Sequence, residues 1–157
     1  MSNPSLTSAP ARRRTSGIPV RVLARHAVDA LLEKKGLDVR VIDVRGVSGV
    51  ADIFVIATGE SDLQVRAMVD AVRDHVQEAT GERPWHVEGT DHHQWVVLDY
   101  VDLVVHVFMP ERRAFYGLER LWGDAPSEEV PDTGSGDTVA LLRDDAPVPQ
   151  APEPTQD

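Results

Sequence analysis

The chain has 157 residues, 41% of them hydrophobic, with no cysteine and a formal net charge of -10. That length suits one domain with tails, and that hydrophobic content suffices for a core. Disulfides, thiolate metal sites and thiol nucleophiles are excluded, and no apolar run approaches the roughly 20 residues of a membrane-spanning helix.

The charge is unevenly placed. Residues 1–18 carry Arg12, Arg13 and Arg14, whereas residues 124–157 hold nine acids against one base, Arg143. Residues 19–123 hold 17 acids and 12 bases. A chain of this sign is repelled by nucleic-acid phosphates and steered towards a basic partner. The basic start lacks an apolar stretch, so no secretory signal is expected and a cytoplasmic location is.

Residues 1–18, rich in Ser, Pro and Arg, are expected to form a disordered basic arm. Pro19 suits the first turn of a helix, with Val22, Leu23, Ala27, Ala30 and Leu31 at helical spacing and Gly36 as its stop. Val39–Asp43 alternates as a strand does. Ile53–Ala57 is apolar throughout, as in a strand covered on both faces. Ser61 or Asp62 caps a long helix that buries Leu63, Val65, Met68, Val69, Val72 and Val76 and ends at Gly81. Residues 84–87 read as a short edge strand, where a proline is tolerated. Trp95–Leu98 and Leu103–Phe108 read as strands joined by a polar corner, Asp99 to Asp102. A helical segment follows from Glu111 to Leu121. The composition then shifts to Pro, Asp, Glu, Gly and Ser, and residues 124–157 are expected to be a disordered acidic tail. These elements predict one compact α/β domain over residues 19–123, with a mixed sheet of about five strands and helices packed on it.

Chemistry-bearing motifs are weak. Thr58-Gly59-Glu60-Ser61 is a strand–turn–helix junction, but neither a P-loop nor a dinucleotide fingerprint is present, and Glu60 and Asp62 oppose an anion there. His92 and His93 are adjacent and point apart in an extended chain, so no metal site is expected. Asp99, Asp102 and His106 can be imagined as an acid–base set. Four residues of strand hold Asp102 and His106 about 13 Å apart, and no nucleophile stands nearby in a recognisable frame. Trp95 and Tyr100 flank the polar corner. An exposed aromatic ringed by carboxylates fits a binding hot spot. Phe115, Leu118 and Trp122 form a core-facing stripe, with Tyr116 offset from it.

The ordered stretches Asp52–Ser61, Glu88-Gly89, Trp95–Tyr100, Asp102–Phe108 and Arg113–Trp122 resemble the ribosomal silencing factor family, also called Iojap-like. The resemblance implies a fold related to nucleotidyltransferases but without their active site. Asp70 and Asp74 lie inside a helix and cannot form the paired acids of that superfamily. It also implies no cofactor. The expected function is that of a factor that binds the fourteenth large-subunit ribosomal protein (the uL14 position), blocks joining of the small and large subunits and represses translation when nutrients are limiting. A homodimer off the ribosome is implied as well. The expected contact residues are Glu88, Trp95, Asp99, Tyr100 and Asp102. Val101 stands where the family usually has glycine, and a β-branched residue resists positive φ, so a different turn is expected at that corner. The rival readings are a nucleotidyltransferase-like or metal-dependent enzyme using Asp99, Asp102 and His106, and an RNA-binding module using Arg12–Arg14.

Overall fold

The computed structural model describes residues 17–47, 49 and 51–145, with Phe115 described by its backbone alone. In chain order its elements are α1 (Val20–Glu33), β1 (Leu37–Asp43), β2 (Ile53–Thr58), α2 (Asp62–Thr80), β3 (His86–Glu88), β4 (Trp95–Asp99), β5 (Leu103–Phe108), α3 (Pro110–Tyr116), α4 (Leu118–Leu121) and β6 (Ser127–Val130). Two 3-10 turns follow, Gly136–Thr138 and Ala140–Leu142. The strands form one sheet in the order β3-β4-β5-β2-β1-β6. Only β2 and β5 run parallel; the other neighbours are antiparallel.

The period-two pattern divides the sheet into two faces. On one lie Val41, Ile53, Val55, Ala57, Val96, Leu98, Leu103, Val105 and Val107, packed under α1 and α2 as the main core. The helices supply matching stripes. Leu23, Ala24, Ala27, Val28, Ala30 and Leu31 come from α1, and Val65, Met68, Val69, Val72 and Val76 from α2. The Ser61 hydroxyl accepts the Gln64 N–H at 3.0 Å and the side-chain oxygen of Gln64 accepts the Glu60 N–H at 2.8 Å, a reciprocal cap at the start of α2. Gly81, at φ 82°, ends the helix in the left-handed conformation. Leu63, expected on the buried side, is 71% exposed. It sits two residues before Val65, about 200° around the helix from the stripe.

The opposite face is covered only in part. Ile42, Val44, Ala51, Phe54, Ile56, Phe108 and Ala125 form a second, smaller cluster, with Trp95, Val104, Leu118 and Trp122 packed against its margin. β2 runs between the two clusters, and all six of its residues are buried. This explains its unbroken apolar sequence.

The acidic tail is corrected by the structure. Residues 127–130 add a sixth strand beside β1, pairing Val39 with Val130 and Ile42 with Ser127. Val139 and Leu142 are buried in the main core. The Glu128 carboxylate accepts the Ala140 and Leu141 N–H groups at 2.9 and 3.0 Å. Asp29 accepts the Gly136 N–H at 2.7 Å, and Arg25 donates to the Leu142 carbonyl and to Asp144. A β-carbon at Gly136 would stand 2.3 Å from the Arg25 carbonyl oxygen, so this close crossing of α1 requires glycine. The folded unit thus runs past residue 123, to at least Leu142. Backbone ladder bonds and single apolar anchors hold the segment, and neither leaves a periodic sequence pattern. At the other end Ile18 packs against the core, so the basic arm stops short of it. The arginines at 12–14 and residues 146–157 lie outside the described residues.

The turn at the β4–β5 corner also departs from expectation. Val101 adopts φ 79° despite its branched side chain. The Asp102 N–H donates to the Tyr100 carbonyl at 3.0 Å, which makes Val101 the centre of a three-residue turn. The Asp99 Oδ1 accepts the Val101 N–H at 2.8 Å, and the Tyr100 N–H bonds the Leu103 carbonyl at 2.7 Å. A side-chain acceptor on one flank and a ladder bond on the other hold the residue where glycine would sit freely.

Candidate functional site

Register places the expected contact residues. Across antiparallel neighbours, Glu88 opposes Val97, which opposes His106, and His86 opposes Asp99, which opposes Val104. Directly paired residues share a face. Glu88, Trp95 and Asp99 therefore stand with His86, Val97, Val104, His106 and Phe108 on the face away from α1 and α2. The β3–β4 end of that face looks outward: His86 and Glu88 are exposed, and Trp95, Val97, Asp99 and Val104 are partly exposed. Glu88 and His86 pair at 2.8 Å. Asp102 lies at the corner beyond Asp99, also partly exposed, and its carbonyl accepts the Asp52 N–H at 2.8 Å.

Tyr100 does not belong with them. It is 1% exposed and packs in the main core on the opposite face. Burial pushes its phenol well above the ordinary range. A residue with so little accessible surface makes no docking contact, and Tyr100 is withdrawn from the contact set. Its one-residue offset from Asp99 turns it to the other face, a consequence of the strand period carrying into the corner.

Trp95 is held from several sides. Its ring stacks on Phe108 with centroids 4.9 Å apart and lies 4.4 Å from Tyr116. Its indole Nε1–H donates to His106 Nδ1 at 3.2 Å. An indole N–H only donates, so Nδ1 is the acceptor and the imidazole proton sits on Nε2. His106 is 7% exposed, and Nε2 is buried with no hydrogen-bond partner among the described residues. Phe54 meets the imidazole edge-on at 5.0 Å. Burial pulls the His106 pKa down to about 4, against the opposing influence of Asp99. The ring is therefore neutral at physiological pH.

Beside Trp95 lies a cleft of about 240 Å³, lined by Gly89, His92, Gln94, Trp95, Arg112 and Tyr116. Tyr116 reaches it because α3 is pinned to the sheet by Arg113. That guanidinium donates to Glu119 at 2.7 Å, to the Asp38 carbonyl at 2.7 Å and to Thr58 Oγ1 at 2.8 Å. Burial, the largest single influence, raises the Glu119 pKa, but the bond from Arg113, a backbone hydrogen bond and the charges of Arg113 and Arg40 together outweigh it and the net shift is downward. Gly117, at φ 60°, ends α3 and starts α4. Arg112, Tyr116 and the valines of the open face were missed as site residues from sequence. Tyr116, offset from the apolar stripe of its helix, was the one visible signal.

The arrangement offers little to catalysis. The His106 nitrogen that a carboxylate would have to orient is occupied by the indole, and Asp99 Oδ1 is engaged by the Val101 amide. Among the described residues, no three side chains of the His, Asp and Glu types stand together in a way that could hold a metal ion. At the start of α2 the Gln64 N–H is taken by the Ser61 hydroxyl, and Glu60 and Asp62 place negative charge where an anion would have to sit. No helix among the described residues is long and apolar enough to cross a membrane. The geometry offers an aromatic anchor and a partly exposed apolar floor, with Glu88 and Asp99 on the same sheet face.

Ribosomal silencing factor RsfS from Bacillus subtilis is 43% identical over 108 residues, covering 69% of this chain and 91% of the relative. A mouse protein, mitochondrial assembly of ribosomal large subunit protein 1, is 30% identical over 125 residues, covering 75% of this chain and 55% of its own length. The crystal structure of protein CV0518 from Chromobacterium violaceum superposes with a TM-score of 0.65 at 33% identity, covering 68% of this chain and 88% of that one. The model of the family described as ribosomal silencing factor during starvation matches residues 18–155. A match over so much of the chain, with relatives this similar, makes the conclusion plain: the chain belongs to the RsfS family of ribosomal silencing factors.

Proposed function

We propose that this protein silences translation by docking on the large ribosomal subunit through its open sheet face, and that its bulk there keeps the small subunit from joining. The partner is a basic protein surface, the fourteenth large-subunit ribosomal protein (the uL14 position). Trp95 supplies the desolvated anchor, with Glu88, Asp99 and Asp102 orienting and steering the approach. The setting is the cytoplasm under nutrient limitation, and no cofactor or bond-breaking step is required. Off the ribosome the same chain forms a homodimer.

The observation that carries this reading is the partly exposed Trp95, stacked on Phe108 and Tyr116 and on the same sheet face as Glu88 and Asp99, in a member of this family. A relative named for assembly of the large ribosomal subunit supports the choice of subunit. The test is a sucrose-gradient profile of separated subunits with added protein. The protein is expected to sediment with large subunits and to lower the yield of whole ribosomes. Unimpaired joining at saturating protein would refute the mechanism.

A further inference from the structure

The Trp95–His106 pair has a feature that ordinary core packing does not account for. A histidine at the centre of β5, flanked in register by Ile56 and Val97, occupies a place that an aliphatic residue would fill without a buried polar atom. His106 instead leaves Nε2 buried and, among the described residues, without a partner. A buried donor left unmade costs stability. Among the described residues, the side-chain hydrogen bond that His106 makes runs to the indole of Trp95.

We infer that His106 is the positioning residue of the docking face: its Nδ1 lone pair fixes the plane of the Trp95 indole, so that the ring meets the partner already ordered. This rests on the docking reading above. A large side chain that enters an interface already held in one rotamer loses less conformational freedom on binding. Trp95 has three such restraints. Phe108 lies 4.9 Å below it, Tyr116 lies 4.4 Å beside it, and the Nε1–H···Nδ1 bond at 3.2 Å sets the rotation that stacking alone leaves free. Burial keeps the imidazole neutral near pH 7, so the acceptor is always present. Phe54 meets the imidazole edge-on at 5.0 Å, and the side chain is buried between β2 and β4. His106 itself makes no contact with the partner; it acts through Trp95.

The experiment compares His106→Asn, His106→Gln and His106→Leu in the full chain. Asn carries its oxygen on Cγ, as histidine carries Nδ1, and so preserves the acceptor. Gln carries it one carbon further out, and Leu has none. Affinity for purified large ribosomal subunits is measured alongside the Trp95 indole N–H resonance and its exchange with solvent, assigned through its loss in Trp95→Phe. The Leu and Gln variants are expected to bind at least tenfold more weakly and to exchange that proton faster, and Asn to stay within threefold of the parent in both. If Leu fails to fold, the Asn–Gln comparison decides alone, since both are amides of similar polarity. Equal binding by Asn and Gln, or an indole resonance that Gln does not move, overturns the inference. Parent-like binding by the Gln and Leu variants while Trp95→Ala binds poorly removes the positioning role and leaves docking intact. Parent-like binding by Trp95→Ala removes the docking reading, and the inference with it.

Discussion

Gly89 lies against the main chain of Trp95: a β-carbon on it would stand 2.0 Å from the Trp95 carbonyl oxygen. The same residue adopts φ 90°, and its carbonyl accepts the His93 N–H at 3.0 Å. The β3–β4 connection therefore doubles back so tightly that the acidic end of β3 and the aromatic start of β4 share one patch. Gly89→Ala meets both a backbone collision and the strain of the left-handed region. It is expected to cost on the order of 2–4 kcal/mol. Urea unfolding of the variant checks this, and a parent-like midpoint would contradict the close approach.

Trp95 and Tyr100 are neighbours of similar chemistry with opposite expected behaviour. Trp95→Ala is expected to weaken docking by about 2 kcal/mol, roughly 30-fold in affinity. Tyr100→Phe should leave docking unchanged, because the residue is 1% exposed. It should not lower stability either, since its hydroxyl is buried with no partner among the described residues. Raising ionic strength is expected to slow association of the parent through screening of Glu88, Asp99 and Asp102. Binding assays on all three at two salt concentrations separate these effects.

His106 makes stability depend on pH in a definite direction. Its pKa is about 4 in the folded protein, against 6.5 for an ordinary histidine. Between those values the unfolded chain binds a proton that the folded chain excludes, so stability is lost as pH falls from 6.5 towards 4 and is fully present above 6.5. The whole effect is on the order of 3 kcal/mol. His26, lowered by burial and by His75 beside it, acts in the same direction. The difference between parent and His106→Asn therefore isolates the His106 share. Denaturant midpoints measured from pH 7 to pH 4 should fall more steeply for the parent.

At the β4–β5 corner, Val101 is held at φ 79° and is 7% exposed. Truncating a buried valine ordinarily favours alanine over glycine as the replacement. Here glycine also relieves a conformation that costs an ordinary L-residue roughly 1–2 kcal/mol. Val101→Gly is therefore expected to be at least as stable as Val101→Ala. Thermal unfolding of the pair is the check, and a clearly more stable alanine variant would mean that the turn carries no strain.

Leu142 is fully buried, although it lies in a stretch whose composition reads as a tail. Leu142→Ala is expected to cost about 2–5 kcal/mol, far more than any change in a solvated segment. Calorimetric melting temperatures distinguish the two cases.

The elements with strong periodicity were readable from sequence: α1, α2, the fully apolar β2 and the alternating β4 and β5. The six-stranded sheet required β6, whose Ser127-Glu128-Glu129-Val130 has one apolar residue and joins through backbone pairing. Ladder hydrogen bonds belong to every residue type, so such a strand leaves almost no side-chain signature. Glu88, Trp95 and Asp99 share a face as their register requires, whereas Tyr100 belongs to the opposite one. The difference is a single residue: the period of β4 carries one step into the corner and turns Tyr100 to the main core. Val101 in a glycine-like conformation is the converse case. Local preference argued against the turn, and the bonds from Asp99 and Leu103 overrode it.

The pairing of β6 with β1 has a consequence for the life of the chain. Without residues 127–130, β1 would end the sheet as a long, largely apolar strand with open backbone groups, the kind of edge that recruits other chains. Those four residues are made after nearly everything else in the fold. Until they are made, that margin has no partner strand within the chain; once made, they pair with Val39, Arg40, Val41 and Ile42 and close it.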